Sequence, residues 1–287
     1  MELDILDVQD KKMTMVVSKT TPAVLNALRR TLLSNIPKMA INNVEFHMGS
    51  IMGDDEKEYE SKTPLFDEII AHRLGLVPIP SDIQAFKNQE DCDCEGEGCP
   101  QCTIMYTLNK KGPCTVYSGD LEPLGDASYS IRDPLIPIVK LDRDQAVLIY
   151  ATAVQGDARK HVKWQVVCSV TCRYYPIITV NSKLCDQGGT CVKACPRDVL
   201  KQDKKGNIVV SDPNNCTLCE ACSDACTPKG KPGTEKAITV EGDPTKFLFS
   251  FETDGSRTAK ETLVMALDIL EGRFNDFRDQ VSAASGE

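Results

Sequence analysis

Seven cysteines between positions 185 and 226 form two short runs with the spacing of iron–sulfur ligands. The second run has the pattern C-x2-C-x2-C-x3-C and consists of Cys216, Cys219, Cys222 and Cys226. The first run has Cys185, Cys191 and Cys195, with Gly188 at the position of the missing member. In such runs three thiolates of one tight loop bind three corners of an iron–sulfur cube, and the fourth cysteine binds the other cluster. The spacing therefore predicts two neighbouring sites that exchange one ligand.

The exchange gives one complete and one incomplete site. The complete site has four thiolates for a 4Fe-4S cluster: Cys195, Cys216, Cys219 and Cys222. The other has three: Cys185, Cys191 and Cys226. Because glycine has no side chain to bind iron, Gly188 leaves that site enough thiolates for a 3Fe-4S cluster or for none. The spacing is similar to that of two-cluster bacterial ferredoxins, and one complete four-iron cluster is favoured over two.

A second cysteine-rich segment, residues 92–102, has a different spacing, C-x-C-x4-C-x2-C. We call it the cysteine loop, and its ligand candidates are Cys92, Cys94, Cys99 and Cys102. Four thiolates from one short loop with glycines can surround a single zinc ion as a closed tetrahedron, which is a structural arrangement without an open position. The alternative is a loop that is merely rich in cysteine. The cysteine density favours zinc.

Composition limits the class of protein. The chain has 287 residues, 14 cysteines and a net charge of -9, which argues against a primary nucleic-acid-binding surface. No apolar run is long enough to span a membrane, and the first residues lack the features of a signal peptide, so we expect a cytosolic protein. In a reducing compartment cysteines indicate metal sites rather than disulfides. Cys114, Cys168 and Cys172 lie outside the metal-like spacings, and the alternation around Trp164 predicts that Cys168 and Cys172 are buried in a strand.

Hydrophobic periodicity predicts the elements that must position these cysteines. Residues 1–18 alternate as strand, and a helix over 22–36 begins at Thr21-Pro22 and carries Arg29 and Arg30. A second helix is expected to begin at Thr63-Pro64, with Phe66 facing inward and Gly75 just past its end. Short strands are expected near 207–210 and 236–240, and Phe247, Phe249 and Phe251 alternate along another.

The chain ends in a long helix, expected over 256–284, with Thr258 and Glu261 at capping-box spacing. Apolar residues recur along this helix at steps of four and three, as in the seam of a coiled coil. We call them the α5 seam: Leu263, Leu267, Leu270, Phe274, Phe277 and Val281. A seam of this length requires a partner helix, in this chain or in another.

Three segments outside the iron-binding runs resemble one family. The helix from Asn26 to Pro37, followed by Met39-Ala40-Ile41, resembles the assembly motif of the α-like subunits of cellular RNA polymerases. The segment His72–Ile79 and the block His161–Trp164 are similar to further blocks of that family, and the cysteine loop is similar to the zinc loop of its large eukaryotic member. Ferredoxin-like inserts are typical of many archaeal members. The chain is therefore identified as a member of this α-like family, of its archaeal D type.

The resemblance implies an α+β fold with a discontinuous dimerisation domain. It implies dimerisation segments 1–40, 165–183 and 243–287, a mainly β insert domain over 41–164 with the zinc loop, and a ferredoxin-like iron–sulfur domain over 184–242. It also implies a non-catalytic role: pairing with the small subunit L, joined by subunits N and P, as the platform for the large catalytic subunits of the DNA-directed RNA polymerase. Consistent with this, His47, His72 and His161 are scattered and form no recognisable catalytic set.

Two other functions remain open at this point. An iron–sulfur electron-transfer protein would explain residues 184–242 but would leave the Arg29-Arg30 helix, the cysteine loop and the α5 seam without a role. A metal-stabilised scaffold outside transcription is the third hypothesis. Dependence of the chain's solubility on a short partner subunit would distinguish them, because an exposed apolar seam needs a partner.

Overall fold

The computed structural model describes residues 1–52, 57–81, 86–226 and 236–285. The chain divides into two compact units. One comprises Met1–Asp7, Thr14–Ala27 and Thr171–Ser250. The other comprises Val8–Met13, Leu28–Val170 and Phe251–Glu287.

Strands dominate the described residues, with helices between them. The strands are β1 Glu2–Val8, β2 Lys12–Ser18, β3 Lys38–Phe46, β4 Ser50–Met52, β5 Glu58–Ser61, β6 Thr103–Lys111, β7 Cys114–Tyr117, β8 Glu122–Pro123, β9 Pro137–Leu141, β10 Gln145–Gly156, β11 Val167–Val180, β12 Leu200–Gln202, β13 Ile208–Val210 and β14 Ile238–Thr253. The helices are α1 Pro22–Ser34, α2 Asp67–Gly75, α3 Thr190–Ala194, α4 Ala221–Asp224 and α5 Ala259–Ser285. None of the helices in the described part of the chain is long and apolar enough to cross a membrane.

Strands from both chain ends share one sheet, in the order β1-β2-β14-β11. The predicted alternation along β14 is confirmed: Phe247, Phe249 and Phe251 are all buried. β1 is an edge strand in which all seven residues are exposed. The buried side chains of this sheet therefore lie mainly on its two inner strands, β2 and β14.

The largest sheet surrounds β10. Its order is β4-β5-β10-β6-β8, and β3 also pairs with β10. β6 runs antiparallel to β10 from Ala146 opposite Lys111 to Val154 opposite Thr103. A core cluster that includes Tyr106 and the α2 residues Ile70 and Leu74 packs on this sheet. Because β6 begins directly after Cys102, this sheet anchors one end of the cysteine loop.

The block around Trp164 has a specific packing role. Trp164 ends a 3-10 turn, Val162–Trp164, and its Nε1 donates to the Val154 carbonyl at 3.1 Å. A Cβ at Gly156 would lie 2.5 Å from the Trp164 ring, so only glycine allows the indole this close to β10. The expectation that Trp164 lies within a strand is wrong, since β11 begins at Val167.

Two further expectations are wrong. Cys168 and Cys172 are exposed on β11 rather than buried, because the strand's outward positions receive no cover from the described residues of this chain. α2 begins at Asp67, three residues after Pro64, and Thr63 Oγ1 instead donates to the Leu65 carbonyl at 2.7 Å.

The apolar side chains of α2 also differ from expectation. Phe66 is 78% exposed, so it lies outside the core in which Ile70 is buried. Gly75 is the last residue of the helix, and Leu76 follows it as the C-cap.

The start of α5 agrees with its sequence signature. Thr258 N donates to Glu261 Oε2 at 3.1 Å, and Glu261 N donates to Thr258 Oγ1 at 3.2 Å. This reciprocal pair is a capping box, and the hydrogen bond from Thr258 lowers the pKa of Glu261. Just before α5, Asp254 forms a largely buried ion pair with Lys38, the first residue of β3. This ion pair holds the segment that leads into α5 next to the start of β3.

Candidate metal centres and assembly surface

The cysteine loop brings its four sulfur atoms together. The Sγ atoms of Cys92 and Cys99 lie 3.5 Å apart, those of Cys94 and Cys102 3.6 Å, and those of Cys99 and Cys102 3.8 Å. All four lie within 4.8 Å of one another. A tetrahedron with the usual zinc–sulfur bond of about 2.3 Å separates its sulfurs by about 3.8 Å. The donor set and its spacing therefore fit one zinc ion.

The backbone of the loop explains its glycines. Gly96 and Gly98 have φ values of +90° and +91°, in a region that favours glycine. Cys99 N points at Cys102 Sγ at 3.3 Å, and Cys102 N donates to the Cys99 carbonyl at 2.9 Å. These turns direct the sulfurs to a common centre.

The thiols of the loop differ in acidity. Backbone N–H groups, above all that of Gly98, lower the pKa of Cys94 to about 6. Burial raises the pKa of Cys102 to about 12. Metal binding requires thiolates and releases protons to solvent, so Cys94 would offer a ready thiolate, whereas Cys102 would have to lose its proton to solvent as a metal bound.

Two exposed ion pairs lie on the outside of the loop. Lys87 pairs with Asp93 at 2.8 Å, and Lys160 pairs with Glu90 at 2.7 Å. Such exposed pairs contribute little to stability. The loop also has hydrogen bonds of its own, such as that from Gln89 Nε2 to the Gly96 carbonyl at 2.7 Å, and a central metal ion would add metal–sulfur bonds to them.

Two short helices carry the cysteines at the third position of the two iron-binding runs. Cys191 lies in α3 and Cys222 in α4. The two runs are offset by 31 residues in sequence, and their loops repeat the same left-handed positions: Gln187 and Leu218 have φ values of 59° and 56°, and Gly189 and Glu220 have values of 71° and 58°. The sequence repeat is therefore also a repeat of backbone conformation.

The complete ligand set lines one cavity. Its cysteines are Cys195, Cys216, Cys219 and Cys222. The apolar side chains around them include Ile178, Val199, Leu200 and Val240. Cys216 and Cys222 are buried, whereas Cys219 is exposed. Four thiolates in an apolar cavity match the donor chemistry of a four-iron cluster.

The incomplete set also comes together. Cys185 and Cys191 are buried in a small core with Leu200, Ile208 and Ile238, and Cys226 packs against it. Burial raises the pKa of Cys191, and the neighbouring thiols of Cys226 and Cys185 raise it further. Gly188 occupies the place that corresponds to Cys219.

Sequence reasoning missed residues next to the ligands. Thr217, directly after Cys216, lines the first cavity. Its counterpart 31 residues upstream is Asp186, whose Oδ1 accepts from Gly188 N at 2.9 Å. The fixed offset between the two runs is the signal that would have drawn attention to this pair.

One of the three histidines, His161, has a local hydrogen bond. His161 Nδ1 accepts from Lys163 N at 3.1 Å, which is a local turn contact. Within the described residues, only the cysteine loop brings three or more His, Cys, Asp or Glu ligand atoms within 4.8 Å of one another.

The α5 seam forms an exposed apolar surface. Leu263 is buried at 9% exposure and Leu270 is half-buried, but the other four seam residues are exposed: Leu267 46%, Phe274 67%, Phe277 65% and Val281 47%. After Ala266 no described residue of α5 is buried. Two phenylalanines two-thirds exposed on one helical stripe mark an interaction surface.

Comparisons with known proteins agree with these features. A family model described as the RNA polymerase Rpb3/RpoA insert domain matches residues 39–169, and one described as a 4Fe-4S dicluster domain matches residues 184–229. The chain thus combines an insert domain of the Rpb3/RpoA type with a 4Fe-4S dicluster domain.

Similar proteins cover nearly the whole chain. The DNA-directed RNA polymerase subunit Rpo3 of Thermoplasma volcanium is 40% identical over 98% of this chain and 100% of that protein. The subunit Rpo3 of Picrophilus torridus is 39% identical over 98% and 99%. The DNA-directed RNA polymerase II subunit rpb3 of Dictyostelium discoideum is 30% identical over 98% and 95%. This chain belongs to the family of the archaeal DNA-directed RNA polymerase subunit Rpo3.

The matches confirm the α+β fold with an RpoA-type insert domain and a ferredoxin-like domain. They also confirm the prediction of an RNA polymerase subunit.

Proposed function

We propose that this chain is the non-catalytic assembly platform of an archaeal RNA polymerase, in the place of its D-type α-like subunit. It pairs with the small subunit L, and subunits N and P join this pair. The large catalytic subunits then assemble on the resulting complex. The exposed α5 seam is the observation that carries this proposal. It is an apolar helical stripe that the described residues of the chain leave uncovered.

We propose that different segments of the chain form domains with different roles. Residues 1–40, 165–183 and 243–287 form the dimerisation domain, residues 41–164 the insert domain, and residues 184–242 the iron–sulfur domain. The insert domain binds one structural zinc ion through Cys92, Cys94, Cys99 and Cys102. The short sulfur–sulfur distances and the closed arrangement of the loop support this assignment.

The iron–sulfur domain has two sites in this proposal. Cys195, Cys216, Cys219 and Cys222 bind a 4Fe-4S cluster. Cys185, Cys191 and Cys226 bind a second cluster through three thiolates, which by themselves specify a 3Fe-4S core. When bound, such clusters add metal–ligand bonds to a domain with a small apolar core and thereby stabilise its fold.

Electron transfer explains less of the molecule. It would use the iron–sulfur domain alone and would give no role to the cysteine loop or to the exposed phenylalanines of α5. The family relationship over nearly the whole chain also favours the polymerase role.

The test is the pairing of full-length chains. The double variant Leu267→Asp with Phe274→Asp places two charges in the seam, which is costly wherever a partner buries them. On co-expression, recovery of the small subunit with this variant should fall by at least about tenfold, the change expected from a loss of more than 1.4 kcal/mol.

A matched control keeps the number of new charges constant. Gly272→Asp with Ala283→Asp lies on the opposite side of α5, since a helix turns about 100° per residue. This control should pair like the unchanged chain. Full recovery of the small subunit with the seam variant would rule out the α5 seam as the pairing surface.

A further inference from the structure

We propose that the carboxylate of Asp186 is the fourth ligand of the second iron–sulfur site. This inference rests on the proposed assignment of Cys185, Cys191 and Cys226 to that site. It changes the cluster that the site takes, from a three-iron core held by thiolates to a four-iron cluster with one iron held through oxygen.

The loop at Gly188 is shaped like a ligand loop. Gln187 and Gly189 adopt left-handed conformations with φ values of 59° and 71°. In the complete loop, Leu218 and Glu220 do the same around Cys219, with values of 56° and 58°. Non-glycine residues rarely adopt such values, so the shared pattern is not a generic loop conformation. Gly188 therefore stands where the backbone would present a cysteine to the cluster.

The side chain of Asp186 lies next to the space that a side chain at position 188 would enter. A Cβ built on Gly188 would lie 3.1 Å from Asp186 Oδ2 and 3.4 Å from its Oδ1. The hydrogen bond from Gly188 N to Oδ1, at 2.9 Å, fixes the carboxylate there. The oxygen atoms thus lie within contact distance of the point where the side chain of a cysteine at this position would begin.

The repeat of the two cysteine runs, offset by 31 residues, supplies an independent observation about residue 186. The counterpart of Asp186 is Thr217, and Thr217 lines the cavity that holds the complete cysteine set. Because the two loops share their backbone pattern, we infer that residue 186 faces the second site as Thr217 faces the first.

The neighbouring side chain is engaged elsewhere. Gln187 Nε2 donates to Asn207 Oδ1 at 3.3 Å, and the Gln187 carbonyl accepts from Gln202 Nε2 at 2.8 Å. Carboxylates bind iron in protein sites, including sites that leave other positions open. Among residues 186–189, Asp186 is therefore the side chain with both the chemistry and the position of a ligand.

The experiment uses the full-length chain, purified without oxygen and loaded with ⁵⁷Fe and sulfide. The unchanged chain should contain about eight irons, as two four-iron clusters require. Its electron paramagnetic resonance spectrum should show no three-iron signal. Its Mössbauer spectrum should show about one iron in eight with the larger isomer shift of an oxygen ligand. Asp186→Ala should lose about one iron and gain the three-iron signal.

Two variants complete the design. Asp186→Ala with Gly188→Cys offers a fourth thiolate and removes the side chain that would crowd it, so it should regain the iron and lose the oxygen-type Mössbauer component. Asp224→Ala removes an exposed carboxylate of the same domain and should leave all three readouts unchanged.

Three outcomes would overturn the proposal. They are a three-iron signal in the unchanged chain, eight irons retained in Asp186→Ala, or only sulfur-ligated irons in the Mössbauer spectrum of the unchanged chain. The last measurement decides the matter even if Asp186→Ala fails to fold. Pairing with the small subunit, measured on the same preparations, reports separately on the assembly function.

Discussion

The cysteines of this chain divide into groups whose geometry matches different metals. In the cysteine loop three pairs of sulfurs lie 3.5–3.8 Å apart and all four lie within 4.8 Å of one another, which suits one small ion. Cys195, Cys216, Cys219 and Cys222 instead line a cavity, an arrangement that would suit a larger group such as a cube of iron and sulfide. Cys168 and Cys172 belong to neither group and are exposed on a strand. Residue type alone does not distinguish these roles, whereas spacing in the chain does.

The zinc assignment yields the first prediction. Cys99→Ser should lose about one equivalent of zinc, because serine oxygen is a poor substitute in an all-thiolate site. Zinc should be measured by elemental analysis of the full chain, with hydrogen exchange over residues 89–103 as a second readout of loop order. Cys168→Ser changes an exposed thiol outside the loop and serves as the control. An unchanged zinc content in Cys99→Ser would disprove the assignment.

At the level of elements, local signals predicted best. The α5 capping box depends on residues three apart, and its two hydrogen bonds form as the sequence indicates. Thr63-Pro64 is a similar local signal for the start of α2, but the chain bends at Pro64 and Leu65 and the helix begins only at Asp67, after Phe66 with β-region angles. The exposure of individual side chains was harder to predict than the elements themselves. Phe66 and Cys168 have the sequence patterns of buried residues, and only the tertiary arrangement leaves them exposed.

The second prediction concerns the start of α5. Thr258→Ala removes the side chain that accepts from Glu261 N, and loss of such a cap costs about 1 kcal/mol. The first turn of α5 should then exchange its amide hydrogens several-fold faster, and the melting temperature should fall by a few degrees. Thr258→Ser keeps a hydroxyl and should behave like the unchanged chain. Equal exchange rates in the Ala and Ser variants would show that the cap does not hold this helix.

At the scale of the whole molecule, the cysteine runs made the iron–sulfur domain predictable, and the assembly motif and the α5 seam did the same for the polymerase role. The arrangement of the sheets was not predictable in the same way. β10 pairs with β3, which lies about a hundred residues earlier in the chain, and with β6, which lies about forty residues earlier. No short motif encodes contacts between residues so far apart. The same limit applies to Asp186, since its significance depends on how two loops fold alike.

The last prediction separates the clusters from the pairing surface. The iron–sulfur domain has a small core that includes Cys185, Cys191 and Cys222, so removal of the iron should loosen it locally. The α5 seam lies outside residues 184–242. Air exposure that removes most of the iron should therefore raise hydrogen exchange over residues 184–226 while recovery of the small subunit stays within about twofold. Iron content and pull-down should be followed in parallel, with Leu267→Asp/Phe274→Asp as the pairing-deficient reference. Loss of the small subunit in proportion to loss of iron would instead show that the clusters control assembly through pairing.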